Sequence, residues 1–216
     1  MKHVAETFCG AGSRRALLAA SLAAATLLSG CALLLGGAAV GSALMVTDRR
    51  TSGTQLEDQE IELKAVNRAR EIVGDAGHVN ATSYNRLVLL SGEVPSEADK
   101  SAVEQSVTRI ENVRTVVNEL AVMGASSLGA RSNDTLLTTK VKTSFIDAKD
   151  VFSNAIKVVT ERGTVYLMGI VTEREANRAT DLARSVSGVQ KVVRVFQIIS
   201  EAELADLQPK QAPPSK

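Results

Sequence analysis

The chain has 216 residues, 44% hydrophobic but only 3% aromatic, with 25 basic residues against 24 acidic ones and two cysteines. A balance so close to neutral excludes the basic footprint expected of a nucleic-acid binder. Two cysteines also exclude a disulfide-built scaffold, so the folded part must rely on its core.

Residues 1–15 carry Lys2, Arg14 and Arg15, and the run from Ala16 to Gly30 contains no charge. A basic segment followed by an apolar one is the pattern of a secretory signal. It ends in Leu28-Ser29-Gly30-Cys31, small side chains before a thiol, which resembles a lipobox. A peptidase needs small residues at the scissile bond, and a lipid transferase needs a nucleophilic thiol. Two alternatives stay open. Ala16 to Val46 is long enough to span a bilayer as a helix, which needs about 20 residues, and Arg14-Arg15 permits twin-arginine as well as general secretory export.

On the lipobox reading, residues 1–30 are a signal peptide. Cys31 then carries the covalent groups, a diacylglycerol and an N-acyl chain, with no other cofactor. Cutting there leaves 22 basic and 23 acidic residues and no free thiol. Ala32 stands where, in the lipoprotein sorting this resembles, an aspartate would favour the inner membrane, so the expected address is the outer membrane. Residues 31–55 form the lipidated N-terminus and tether, whose apolar stretch 32–45 either lies along the bilayer or is a plain leash.

An internal repeat follows. Val88, Leu90, Gly92 and Val94 match Val165, Leu167, Gly169 and Val171 at an offset of 77. Ile110, Val113, Val116, Val117, Leu120 and Val122 match Val186, Val189, Val192, Val193, Phe196 and Ile198 at an offset of 76. Ile61, Ala65 and Ala69 recur every four residues, as do Leu137, Val141 and Phe145, and each trio predicts the buried stripe of a first helix. Strands are predicted at 79–82, 87–93, 156–160 and 164–170. The turns fall at Tyr84-Asn85-Arg86 and Glu161-Arg162-Gly163, where glycine supplies a positive φ. Second helices at 96–109 and 173–187 lead into closing β-branched runs, which predicts parallel flanking strands. Gly92 and Gly169, inside apolar strands, imply a bulge or a close helix crossing, or else a backbone ligand site.

The pattern Leu-x-Gly-x-Val after a hairpin, an acidic helix and a closing Val-x-x-Val-Val resembles the BON domain, a small module of osmotic-stress and envelope proteins. The second copy, with Ser132-Asn133-Asp134-Thr135, Thr138-Thr139-Lys140-Val141 and the run from Val165 to Ala176, resembles that of dual-BON outer-membrane lipoproteins. The resemblance implies an α+β fold: two tandem αββαβ modules, each a three-stranded mixed sheet covered by two helices. The modules occupy 56–123 and 132–200, with a linker at 124–131 and a tail at 201–216, disordered at its end. It further implies a non-enzymatic, lipid-anchored protein facing the periplasm, whose second module binds anionic phospholipid through its first helix. Members often place a tryptophan directly after the Asp-Thr of this helix, where this chain has Leu136.

Charge supports that choice of module independently. Residues 56–123 hold 7 basic and 12 acidic residues, whereas 132–200 hold 10 and 7. At 100° per residue the stripe Leu137, Val141, Phe145 leaves Leu136, Thr139, Lys140, Thr143 and Ile146 on the other side, a combination suited to a membrane interface. The competing reading packs Leu136 and Ile146 on the first module or the linker.

Asp134 is expected to be the helix N-cap. His78, beside Gly77, is read as a lone loop histidine. The pairs Glu57-Asp58 and Glu173-Glu175 are read as solvated helix surface, and no His/Cys/Asp/Glu cluster shows metal spacing, so neither catalytic nor metal residues are assigned. The rival functions are a protein adaptor docking an outer-membrane assembly or division complex, and a carrier of a soluble ligand, which such small domains have little interior to hold. Packing between the modules is the remaining expected contact.

Overall fold

The computed structural model describes residues 48–148 and 150–207; the signal segment, Cys31 and the end of the tail lie outside them. The first module opens with α1 (Ser52–Val73), whose N-cap Thr51 accepts a hydrogen bond from the Thr54 N–H. A single 3-10 turn leads to β1 (His78–Tyr84), which pairs antiparallel with β2 (Leu87–Val94). Then α2 (Glu97–Thr108) crosses to β3 (Thr115–Asn118), parallel to β2. A short β4 (Ala121–Val122) prolongs this edge, pairing with Glu93 and Val94, so the sheet has four strands rather than the expected three.

The second module repeats the order with α3 (Leu128–Asp147), β5 (Ile156–Glu161), β6 (Thr164–Thr172), α4 (Glu173–Ser185) and β7 (Lys191–Ile199). Its three strands are ordered β5-β6-β7, antiparallel then parallel. The capping box of Thr172 and Glu175 starts α4 directly off the end of β6. A last helix, α5 (Glu201–Leu207), buries Leu204.

Three helices run past the expected module bounds. The segment 124–131 is not a simple linker, because Ser127 caps a helix that already includes Leu128 to Arg131. The helix α1 begins at Ser52, four residues ahead of residue 56. Helical structure continues seven residues into the expected tail.

The central strands are apolar on both faces because both faces are covered. On one face of β2, Val88, Leu90 and Val94 pack with Ile61, Ala65 and Ala69 of α1 and Val103 and Val107 of α2. Val165, Leu167 and Val171 of β6 do the same beneath Val141 and Phe145 of α3 and Ala176, Ala179 and Ala183 of α4. The opposite faces meet each other: Tyr84 and Leu89 share a third core with Tyr166, Met168, Ile170 and Val195. The modules are therefore stacked sheet to sheet with their helices outermost.

The strand glycines have a different cause from a helix crossing. A Cβ on Gly92 would lie 2.0 Å from the His78 carbonyl oxygen, and one on Gly169 would lie 2.4 Å from that of Ala155. The pairing of β1 with β2 runs through Gly92 without a bulge. Backbone at the start of β1 excludes the side chain at Gly92, and the 3-10 turn Ser153–Ala155 ahead of β5 excludes it at Gly169, rather than a crossing α-helix.

A strap enters ahead of α1. Arg49 forms a two-point ion pair with Glu175 at 2.8 Å and donates to the Ile170 carbonyl at 2.7 Å, all in the second module. Its neighbour Arg50 turns to the first module, bonding Asp58 at 2.8 Å and lying 4.0 Å over the Tyr84 ring. Glu175 and Asp58 are accordingly buried, against the expectation that they belong to solvated helix surface.

Candidate functional site

The first helix of the second module is fixed in rotation by its core stripe and by one buried acid. Leu137, Val141 and Phe145 face inward as the period requires. Asp134 is not the N-cap: it lies in the second turn, nearly buried, and accepts the Arg162 N–H at 2.8 Å and the Gly163 N–H at 2.9 Å. Those residues form the β5–β6 turn with φ of 53° and 71°, the left-handed pair that a two-residue hairpin demands. The first module repeats the device. Asp58 accepts the N–H groups of Asn85 and Arg86, both at 2.8 Å, at a turn with φ of 51° and 68°. It also takes the Ser83 hydroxyl at 2.6 Å. Burial raises the Asp58 pKa, but these donors and Arg50 outweigh it and hold the carboxyl below its ordinary range.

With the inner side so fixed, Leu136, Thr139, Lys140, Thr143 and Ile146 all lie on the exposed side of α3. Leu136 is 61% exposed and Ile146 68% exposed, so neither is packed away on the first module or the segment before the helix. Leu128, at 79%, extends the same face by two turns. Between the apolar residues runs a threonine ladder: Thr135, Thr139 and Thr143 each donate at 3.0 Å to the carbonyl four residues earlier. Hydroxyls so occupied compete less for water, and the face is less polar than its composition implies. Lys140 and Lys142 flank it, both exposed.

Beside Leu136 and Lys140 lies an open groove of about 580 Å³, walled across by Arg162, Gly163 and Gln190. Leu128, Lys142 and the ladder were not singled out from sequence. The four-residue spacing of the threonines was the available signal.

A second polar locus lies at one end of the sheet-to-sheet interface. His78 begins β1 instead of sitting in a loop, directly opposite Glu93 on β2, and Glu161 reaches them from β5. The three bring ligand atoms within 4.8 Å of one another, a grouping hidden by their separation along the chain. Burial and the charge of Arg131 lower the His78 pKa against the opposing effect of Glu93. Burial raises that of Glu161, as do the charges of Glu93 and Asp134, although the Asn80 hydrogen bond works the other way.

Comparison with known proteins agrees with the duplicated architecture. The BON domain family matches residues 63–124 and 133–200. The chain is 42% identical over 187 residues to the outer membrane lipoprotein DolP of Haemophilus influenzae, covering 84% of this chain and 95% of that one. It is 30% identical to the 21 kDa hemolysin of Actinobacillus pleuropneumoniae, over 70% of this chain and 79% of that protein. Identity to the osmotically-inducible protein Y of Escherichia coli is also 30%, over 53% of this chain and 58% of the other. No helix among the described residues is long and apolar enough to cross a membrane. Two module matches in tandem and a relative aligned along nearly its whole length place the chain in the BON domain family, as a DolP-like member.

Proposed function

We propose that the chain is a non-enzymatic outer-membrane lipoprotein, held by acyl chains on Cys31 and facing the periplasm, that binds anionic phospholipid through α3 and supports envelope integrity. The observation that carries this reading is the outer face of α3. Leucine and isoleucine stand exposed there along a threonine ladder whose hydroxyls are internally bonded, with lysines on either flank. Such a face can seat its apolar side chains at the acyl boundary while its ammonium groups meet phosphates. Each lysine near an anionic surface contributes on the order of 1 kcal/mol. Two lysines and two aliphatic side chains therefore give weak, reversible binding alone, and firm residence requires the acyl anchor. The names of the relatives, an outer membrane lipoprotein and an osmotically inducible protein, fit this setting.

The test is vesicle flotation with the chain from residue 31 onward, carrying Cys31→Ser and therefore no acyl groups. Co-flotation is expected with vesicles containing phosphatidylglycerol, and not with phosphatidylcholine alone. Leu136→Asp and Lys140→Glu should each abolish it. Flotation unchanged in both variants would remove α3 from the mechanism. If no vesicle retains the chain, the adaptor reading takes its place.

A further inference from the structure

We propose that His78, Glu93 and Glu161 bind a divalent transition-metal ion of the zinc class, and that the ion staples the two modules together. His78 and Glu93 are directly paired across β1 and β2, so their side chains emerge on the same face of the sheet, toward the second module. The His78 Nδ1 lies 3.8 Å from Glu93 Oε2. From the other sheet, Glu161 brings its carboxylate to the same point, and all three donor atoms fall within 4.8 Å.

Unmet valence in this cluster points to a ligand. Glu93 is fully buried, yet its Oε1 accepts no hydrogen bond, and neither does the buried Nδ1 of His78 engage in one. Folded proteins pair nearly all such atoms, because an unpartnered buried polar group costs about 1–3 kcal/mol and a charged one more. The nearest cation to Glu93 Oε1 is Arg162 Nη1 at 4.0 Å, too far for a hydrogen bond. An ion reached by His78 Nδ1 and, after a small turn of the carboxylate, by Glu93 Oε1 would satisfy both orphaned atoms and leave Oε2 on the Ser126 N–H.

The donor set selects the kind of ion. One imidazole nitrogen with two carboxylates suits zinc and its neighbours, whereas calcium and magnesium prefer oxygen alone. Two carboxylates also balance a double positive charge. Bonds of about 2.0–2.1 Å at tetrahedral angles place donor atoms about 3.4 Å apart, so the His78 and Glu93 atoms are nearly in place. With every donor atom within 4.8 Å of the others, no pair has to close by more than about 1.4 Å, a small side-chain rotation. Outer partners already orient the carboxylates: Asn80 donates to Glu161 at 3.0 Å and the Ser126 N–H to Glu93 at 3.1 Å.

Arg162 competes for the Glu93 carboxylate, with Arg131 a second positive charge near His78 and Glu161; Arg162 is partly exposed and can swing away into solvent. Removing it should improve metal binding, whereas in a purely structural ion cluster its loss only weakens the fold.

The experiment titrates Zn²⁺ into the same Cys31→Ser chain, which has no thiol, by isothermal calorimetry, with the melting temperature followed in parallel. One saturable site per chain and a raised melting temperature are expected. His78→Ala and Glu161→Gln should each weaken binding by about tenfold or more, and Arg162→Gln should tighten it. Circular dichroism checks that each variant is folded. Absence of saturable binding, or equal binding by the folded His78→Ala/Glu161→Gln double variant, would overturn the site. Tighter binding of Ca²⁺ than of Zn²⁺ would overturn the assigned class of ion.

Discussion

The first helices of the two modules, α1 and α3, are secured alike and dressed differently. Each buries a stripe spaced by four and drives one acid, Asp58 or Asp134, into a left-handed hairpin turn. Each also exposes aliphatic side chains, Leu56 and Leu63 on α1 and Leu136 and Ile146 on α3. Their surroundings differ: α1 holds five acidic and three basic residues, and α3 two and three. Only α3 has the threonine ladder. An exposed leucine is ordinary on a soluble protein; it becomes a membrane contact only where neighbouring charge does not repel the lipid. The duplication kept the fastening and let the outer face diverge.

The largest expected effect concerns the fastening. Asp58→Ala should cost about 3–4 kcal/mol, because it frees two turn N–H groups and the Ser83 hydroxyl and leaves half-buried Arg50 with Asp48 as its remaining carboxylate partner. Asp134→Ala, which frees only two backbone N–H groups, should cost about 2–3 kcal/mol. Urea denaturation of both variants measures this, and equal losses would show that the strap adds nothing to the first turn. Acid should act next, through one group in each module. In Glu175, burial raises the pKa, but Arg49 and the Thr172 N–H prevail and lower it, as the donors around Asp58 do for that group. A carboxyl with a depressed folded pKa adds stability that is complete above its unfolded value and is lost as pH falls through the folded one. Melting temperature should therefore hold down to the ordinary carboxylate range and drop below it, and Asp58→Asn should flatten that drop more than Glu203→Gln, whose site is exposed.

Smaller effects test the outer faces. Leu136→Asp should lower binding to phosphatidylglycerol vesicles about tenfold or more, whereas Leu63→Asp on α1 should leave it unchanged. A loss from Leu63→Asp would make the two faces equivalent. Leu136→Trp should strengthen binding about two- to fivefold, since an indole favours the interface where leucine has no polar edge. Partition measurements with the unacylated chain would register it.

Local features of the fold were legible in the sequence. The four-residue stripes, the hairpins and the parallel closing strands follow from periodicity and turn chemistry between near neighbours, and the repeat supported each copy with the other. The start of α3 was obscured because its first turn, Leu128-Gly129-Ala130-Arg131, carries no apolar stripe, while Asp134 before Thr135 imitates a cap. What distinguished Asp134 was a partner 28 residues away, which no local rule reports. The outward set on α3 could be assigned from helical phase alone. The cluster of His78, Glu93 and Glu161 could not, because it depends on how two sheets stack.

The strap at Arg49 and Arg50 has a mechanical consequence. Consecutive side chains grip different modules, so a pull arriving along the chain from the N-terminal side is divided between both halves before either helix is loaded. Two beads on a string would swing independently. With both modules gripped at this one point and packed sheet to sheet, a turn of one carries the other, and the outer face of α3 with it.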